Sequence, residues 1–409
     1  MRGSSRALVV AVTGVALAAG CLLGAAPSQG APKDITIWAD AEHAAVLSKL
    51  LAKGYKGTPV KVVTKDLAEI RSTVATVPKG EAPDVIWSDQ SWTGELAASG
   101  TIVPVVLNKK RQKQFAPNVL KGYRYGTAAY GLPVQFSNLA LITNAALVPK
   151  QPTSFADVSA TVEKLRKAGK VKRGFLAPQG ANSDGYSMYP LFSGLGGYFF
   201  GSDDSGALVP ADLGLANKAF LKNSKQIDAW NASKLINSTI DADVARSTFV
   251  RGKGAFWLAG PEEMATLKAL KFTYRITAVP EIIKGIKPVP LLRIQGFMVT
   301  KYAEAHGVAD EAGKLVTRYM ATVGRQLSLA AASGLNPASL VAAKQVAERR
   351  LVAIAAAGVS GVPVPNIPQM TAVWAPYGGA WVASTSGPEA TPAKDAFKAA
   401  QATAAAALG

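Results

Sequence analysis

The sequence predicts an α/β fold in two lobes, and three observations carry that prediction. Strands and helices alternate between residues 35 and 100 with short connections, the pattern of a parallel sheet covered on both faces. A polar and aromatic segment, Gln135-Phe-Ser-Asn138, interrupts two apolar runs where the chain would pass from one lobe to the other. A late strand, Gln295-Gly-Phe-Met-Val-Thr300, and its helix would most simply return to the first sheet, which makes both lobes discontinuous in sequence. The expected lobes are 34–135 with 295–342, and 139–290 with 346–409.

Taken in order, Ile35–Trp38 is the first strand, Val46, Leu47, Leu50 and Leu51 form a helical face, and Gly54 stands where a helix end favours positive φ. Val60–Val63 is the next strand, Leu67–Val77 the next helix, Pro83–Trp87 a third strand, and Ser91–Ala98 a helix closed by Gly100. Ala128–Val134 reads as a strand bent at its proline, followed by the strand Leu139–Ile142. A helix over Phe155–Lys167 opens the second α/β region, marked later by Tyr186–Pro190, by the glycines of 194–197 and by the strand Gly254–Leu258. Those glycines lack the lysine and hydroxyl that follow a phosphate loop, so helix packing or a tight turn explains them better. Helices are expected over Val308–Ala321, Val341–Ala355 and the alanine-rich tail Ala393–Leu408.

Of the 409 residues, 49% are hydrophobic and 18% charged, which suits a globular chain with a sizeable core. Residues 1–30 read as an export signal, because Arg2 and Arg6 precede an apolar run, Ala7–Leu23, too short and too rich in Ala and Gly for a membrane span. Cys21, the only cysteine, ends that run behind Leu17-Ala-Ala-Gly20 and resembles the acylated cysteine of a bacterial lipoprotein, with Ala26-Pro-Ser28 as a competing cleavage site. A lipid anchor at the outer face of the cytoplasmic membrane is expected, and the folded part has neither disulfides nor a thiolate metal cluster. The net charge of +18 raises nucleic-acid binding, but the basic residues are scattered apart from short clusters such as Lys109-Lys-Arg111. A solvated surface beside an anionic envelope accounts for them, and no nucleic-acid partner is expected.

Catalytic motifs are missing. The exported part has two histidines, His43 and His306, far apart in sequence, and no HExxH, GxSxG or Walker loop, so no metal and no cofactor are expected. A glycosidase needs only two carboxylates, for which Asp89, Asp184, Glu262 and Glu263 are the candidates. Each has a plain alternative: Asp184 sits in a polar turn, and Glu262 follows Gly260-Pro261, where an acid suits the start of a helix.

Polar residues mixed with aromatics recur at the C-terminal ends of the expected strands. Glu42 and His43 follow the first, Asp89, Gln90, Ser91 and Trp92 the third, and Glu262 follows Phe256-Trp-Leu258. Open parallel sheets bind ligands outside those ends, so these loops would share one cleft. Near the C-terminus, Pro365 and Pro368 stiffen the approach to Trp374 and Tyr377, whose rings offer flat apolar walls for a sugar's C–H face. The same two rings at helical spacing equally suit a core.

The chain resembles the extracellular solute-binding proteins of the maltose-binding type, which feed ABC sugar importers. The resemblance covers essentially the whole exported chain. It rests on Ile35–Trp38, Ala82–Trp87 with Glu95–Gly100, Tyr130–Val134 with Leu141–Asn144, Phe249–Gly252 with Ala259–Pro261, and above all Pro365-Asn-Ile-Pro-Gln-Met370 with Trp374. It implies a two-lobed periplasmic-binding-protein-like fold that closes over an oligosaccharide. By position, Trp374 matches the family's main stacking residue, Glu42 and His43 a pair that grips hydroxyls, and Asp184 with Tyr186 an acid and an aromatic of the second lobe. Asp89 and Ser91 fall in the loop of the first-lobe acid, and Ser137, beside Phe136, stands where the family can have a carboxylate. The sequence departs from the family at Ser88, Trp92, Glu262 and Gly378, which replace a tryptophan, an arginine, a stacking tryptophan and an arginine. The expectation is a monomeric receptor, not an enzyme, that binds maltose, a maltodextrin or a trehalose-like sugar and delivers it to ABC permease subunits. The competing readings are a glycoside hydrolase and a receptor for a cationic solute such as a polyamine.

Overall fold

The computed structural model describes residues 34–408; the expected signal and Cys21 lie outside them. Two sheets organise the described chain. The first contains β1 (Ile35–Ala39), β2 (Val60–Thr64), β3 (Val85–Asp89) and β4 (Gly131–Ser137). The second contains β5 (Ala140–Asn144), β6 (Phe175–Leu176), β7 (Phe256–Ala259) and β8 (Tyr274–Thr277). The chain then returns to the first sheet with β9 (Leu291–Val299), β10 (Asn336–Pro337) and β11 (Val362–Pro363). The strand orders are β10-β4-β9-β3-β1-β2, with β11 beside β9, and β8-β5-β7-β6.

β1 pairs in parallel with β2 and β3, but β9 runs antiparallel between β3 and β4, so the first sheet is mixed rather than parallel throughout. The late strand does return to the first sheet, and it is longer than the sequence implied because Leu291, Leu292 and Ile294 are also buried there.

Each sheet carries its own core. In the first, Trp87 is sandwiched between the stacked ring of His43, at 3.9 Å between centroids, and the edge of Phe297, at 5.1 Å. In the second region, Phe192, Phe199, Phe220, Tyr377, Trp381 and Phe397 pack ring against ring. This places the helices Gly185–Gly194, Thr371–Ser384 and Ala393–Leu408 against one another.

Several boundaries differ from the sequence reading. The crossing segment is shorter than Gln135–Asn138, because β4 keeps pairing with β9 as far as Ser137. Asn138 makes the turn between sheets, buried, with Nδ2 donating to the Ile354 carbonyl at 2.7 Å. The helix expected over Leu67–Val77 ends at Thr73, whose carbonyl accepts the amides of Thr76 and Val77. That over Val308–Ala321 is α-helical only to Lys314, then widens to a π-helix, Leu315–Met320. The helix over Val341–Ala355 is two helices, Leu340–Ala343 and Arg349–Ala357, capped separately by Ser339 and Glu348. Phe155–Lys167 and Ala393–Leu408 are helices as expected. Among the described residues, no helix is long and apolar enough to cross a membrane.

β9 changes register between Gln295 and Gly296. At the change a Cβ on residue 296 would stand 2.0 Å from the Leu132 carbonyl oxygen, a backbone atom that cannot swing aside, so only glycine fits. Gly296→Ala is therefore expected to destabilise the protein by about 3 kcal/mol, a typical overpacking penalty. A urea unfolding midpoint equal to that of the parent protein would show that the strand yields freely there.

Candidate functional site

A cleft of about 470 Å³ opens between the two sheets. The first sheet contributes Ser137 from the end of β4 and Arg293 and Gln295 from β9, with Ser333 and Leu335 beside them. The register Arg293↔Ser137 and Gln295↔Gln135 explains why these side chains gather at one sheet end. The opposite wall holds Asp184, Tyr186, Trp257 and Glu262.

Local structure fixes each of these groups. Asp184 caps the helix Gly185–Gly194, its carboxylate accepting from the Ser187 amide at 3.3 Å. Tyr186 donates its hydroxyl to the Leu291 carbonyl at 3.2 Å, and the Arg293 guanidinium lies 5.9 Å from its ring centre. Burial pushes the Tyr186 phenol well above its ordinary pKa, so it stays neutral. Glu262 folds back to accept from the Gly260 amide at 2.8 Å. The turn carrying it is anchored by Glu263, buried and bound bidentately by Arg246. Glu262 keeps contact with solvent along the cleft, but the walls around its carboxyl leave it poorly hydrated, and this burial pushes its pKa up.

Of the residues expected at the site, Ser137, Asp184, Tyr186 and Glu262 line this cleft. Asp89 touches it only through Arg293, whose Nε lies 3.5 Å from its carboxylate. Ser91 is spent on the same acid, donating its amide at 2.9 Å and its hydroxyl at 2.7 Å. Glu42 is exposed in the first turn of the helix Ala41–Leu50, and Phe136 packs half-buried on the first core. Trp374 is half-buried, its indole edge-on to Phe199 at 5.3 Å. It lies beside Gly185, where an added Cβ would come 3.5 Å from the indole and 2.8 Å from Tyr377. The bare glycine lets both rings close on the turn between Asp184 and Tyr186.

Four expected contacts are packing residues instead. Tyr377 is fully buried, its hydroxyl without a partner, because the rings of the second core enclose it. Trp92, 5% exposed, belongs to the first core. Gln90 is buried and donates to the Val364 carbonyl at 2.9 Å. His43, 2% exposed, stacks on Trp87 and cannot reach a sugar itself.

Sequence reasoning missed Arg293 and Gln295. The available signal was the alternation Leu292-Arg-Ile-Gln295 inside an otherwise apolar strand, polar side chains at every second position on one face. A second, larger cavity of about 600 Å³ lies between 121–126, 198–210 and 362–369, and none of the expected site residues lines it. Its walls are aromatic, including Tyr125, Tyr198 and Phe200, and its charged residues are Lys121 and Arg124.

The maltodextrin-binding protein MdxE of Bacillus subtilis is 27% identical over 77% of this chain and 76% of its own. A galactooligosaccharide-binding protein of the same organism is 26% identical over 86% and 84%. The extracellular solute-binding protein of Staphylococcus aureus, solved in complex with maltose, superposes with a TM-score of 0.81 at 22% identity, over 92% of this chain and 98% of that one, and so shares its fold. The family model described as "Bacterial extracellular solute-binding protein" matches residues 47–356, and the chain belongs to that family.

Proposed function

We propose that this protein is the extracellular receptor of an ABC importer for an α-linked gluco-oligosaccharide: maltose, a maltodextrin or a trehalose-like sugar. The observation that carries the reading is the convergence of unlike polar groups on one cleft. Two acids, Asp184 and Glu262, face a cation, an amide and a hydroxyl from Arg293, Gln295 and Ser137, with the Tyr186 ring among them. Sugar hydroxyls donate and accept at once, so a wall of mixed polarity suits them better than a wall of one charge. A polyamine would favour acids alone, and Arg293 opposes it. Trp374, packed beside Gly185 between Asp184 and Tyr186, would extend the aromatic surface.

The lobes we assign are 34–135 with 295–342 and 139–290 with 346–409, moving about Asn138 and the other crossings. Closure would exclude water from the polar contacts and present a surface to the permease. No bond is broken in this role. The receptor acts as a monomer, anchored by an acyl group on Cys21 at the outer face of the cytoplasmic membrane. The named maltodextrin-binding relative supports a maltodextrin, while the galactooligosaccharide-binding relative makes galactooligosaccharides the first alternative to test.

Calorimetry against maltotriose, maltotetraose, trehalose, a galactooligosaccharide and spermidine tests this reading. The expected result is tightest binding to a maltodextrin, with no new reducing ends after long incubation. Preference for spermidine, or turnover of the sugar, would overturn it. Trp374→Ala should weaken maltodextrin binding by about tenfold, or about 1.4 kcal/mol, the worth of a good stacking contact; unchanged affinity would remove Trp374 from the site.

Burial raises the Glu262 pKa, so as pH falls from neutral this carboxyl takes up its proton before an ordinary glutamate does. Protonation removes an acceptor for sugar hydroxyls. Affinity should therefore weaken on mild acidification, and Glu262→Gln should flatten that part of the profile. A profile unaltered by Glu262→Gln would show that this side chain does not meet the ligand.

A further inference from the structure

Four side chains link the first turn of the helix Ala41–Leu50 to the cleft. The Asp40 carboxylate lies 2.7 and 2.8 Å from His43 Nδ1, His43 Nε2 lies 3.3 Å from Gln135 Oε1, and Gln135 Nε2 donates to Gln295 Oε1 at 2.8 Å. His43 and Gln135 are both buried, so neither touches a ligand; Gln295 is half-buried and lines the cleft.

Every link in this chain has a direction. Asp40 only accepts, so His43 Nδ1 carries a hydrogen. If His43 Nε2 also carries a hydrogen, it donates that hydrogen to the Gln135 carbonyl oxygen. Gln135 then spends its oxygen on His43 and its NH₂ on Gln295, and Gln295 spends its own oxygen on Gln135. What remains for the cleft is the Gln295 NH₂ group, a donor. If His43 is neutral, Nε2 becomes an acceptor and both amides must reverse to keep the chain paired. The cleft then meets the Gln295 carbonyl oxygen, an acceptor. A buried chain of this kind holds its order because a broken link leaves an unpaired polar group in the core.

We propose that Asp40, His43 and Gln135 are positioning residues for ligand recognition, setting whether Gln295 offers the cleft a hydrogen-bond donor or an acceptor. The inference rests on the reading of this cleft as the ligand site. Around His43 the charged groups are Asp40, in contact, and Glu42, exposed one residue before it. The packed strands present Trp87 and Gln135, which do not ionise, with the Asp89–Arg293 pair at the cleft end of the chain. The helix Val323–Ala332, packed on the helix of His43, carries Arg325, whose guanidinium is stacked on Tyr319. Burial alone would raise the Asp40 pKa, but the hydrogen bonds and charge of His43 together outweigh it and hold Asp40 below its ordinary value. Asp40 therefore remains an acceptor.

The test has one arm that needs no ligand. In ¹⁵N-labelled protein, the side-chain NH₂ signals of Gln295, identified by their loss in Gln295→Met, are followed while the His43 ring is titrated. They should shift with His43 ionisation in the parent protein and not in Gln135→Met; His43→Gln should abolish the same response and serves if Gln135→Met fails to fold. Signals indifferent to His43, or responding equally in Gln135→Met, would overturn the relay. In the second arm, Gln135→Met should weaken maltotriose binding by about tenfold, the loss of one or two oriented hydrogen bonds. The double variant with Gln295→Met should bind no more weakly than Gln295→Met alone, whereas additive losses would contradict the relay. If the parent protein binds no sugar, the proposed function fails while the ligand-free arm still decides the relay.

Discussion

A single strand, β9, joins the packing of the first core to the wall of the cleft. This strand runs antiparallel between β3 and β4, and its register changes at Gln295 and Gly296. Before the change its alternating residues send Arg293 and Gln295 toward the cleft; after it, Phe297 and Met298 close the first core. A residue larger than glycine at 296 would push β9 from β4 and move the functional side chains with it. One close backbone contact thus links the packing of the first sheet to the geometry of the site.

The site combines fixed and free polar groups. Asp184 and Glu262 each hold a backbone amide, which orients the carboxylate and leaves lone pairs over for a ligand. Arg293 stands between Asp89 and the ring of Tyr186, so its charge is balanced inside the protein before any ligand arrives. A neutral, many-hydroxyl ligand fits such a wall without importing charge, and a wrong arrangement of hydroxyls would leave these groups unpaired, a larger penalty than a missing apolar contact.

Much of the fold was legible because it is periodic. Phe155–Lys167 has a capping box and one apolar face, and Ala393–Leu408 is nearly all strong helix formers, so their limits follow from local chemistry. The mixed first sheet was harder, since strand direction depends on the partner and leaves no local trace in β9. At the site, Asp184 and Glu262 were found through their positions after turns and strands, and both line the cleft. Gln90, Trp92, His43 and Tyr377 have the same polar or aromatic character but face inward, and only tertiary packing decides that face. Arg293 and Gln295 escaped notice because they lie inside a strand rather than after one.

In the receptor we propose, one ligand is held from both sides of the cleft, by Arg293 and Gln295 on one wall and by Asp184 and Glu262 on the other. A crystal structure with bound maltotetraose tests this most directly. The expected result is sugar hydroxyls within hydrogen-bond distance of side chains on both walls, with a ring lying against Tyr186 or Trp374. A sugar seated instead in the aromatic cavity between Tyr125, Tyr198 and Phe200, with the cleft of Asp184 and Arg293 left to water, would contradict it.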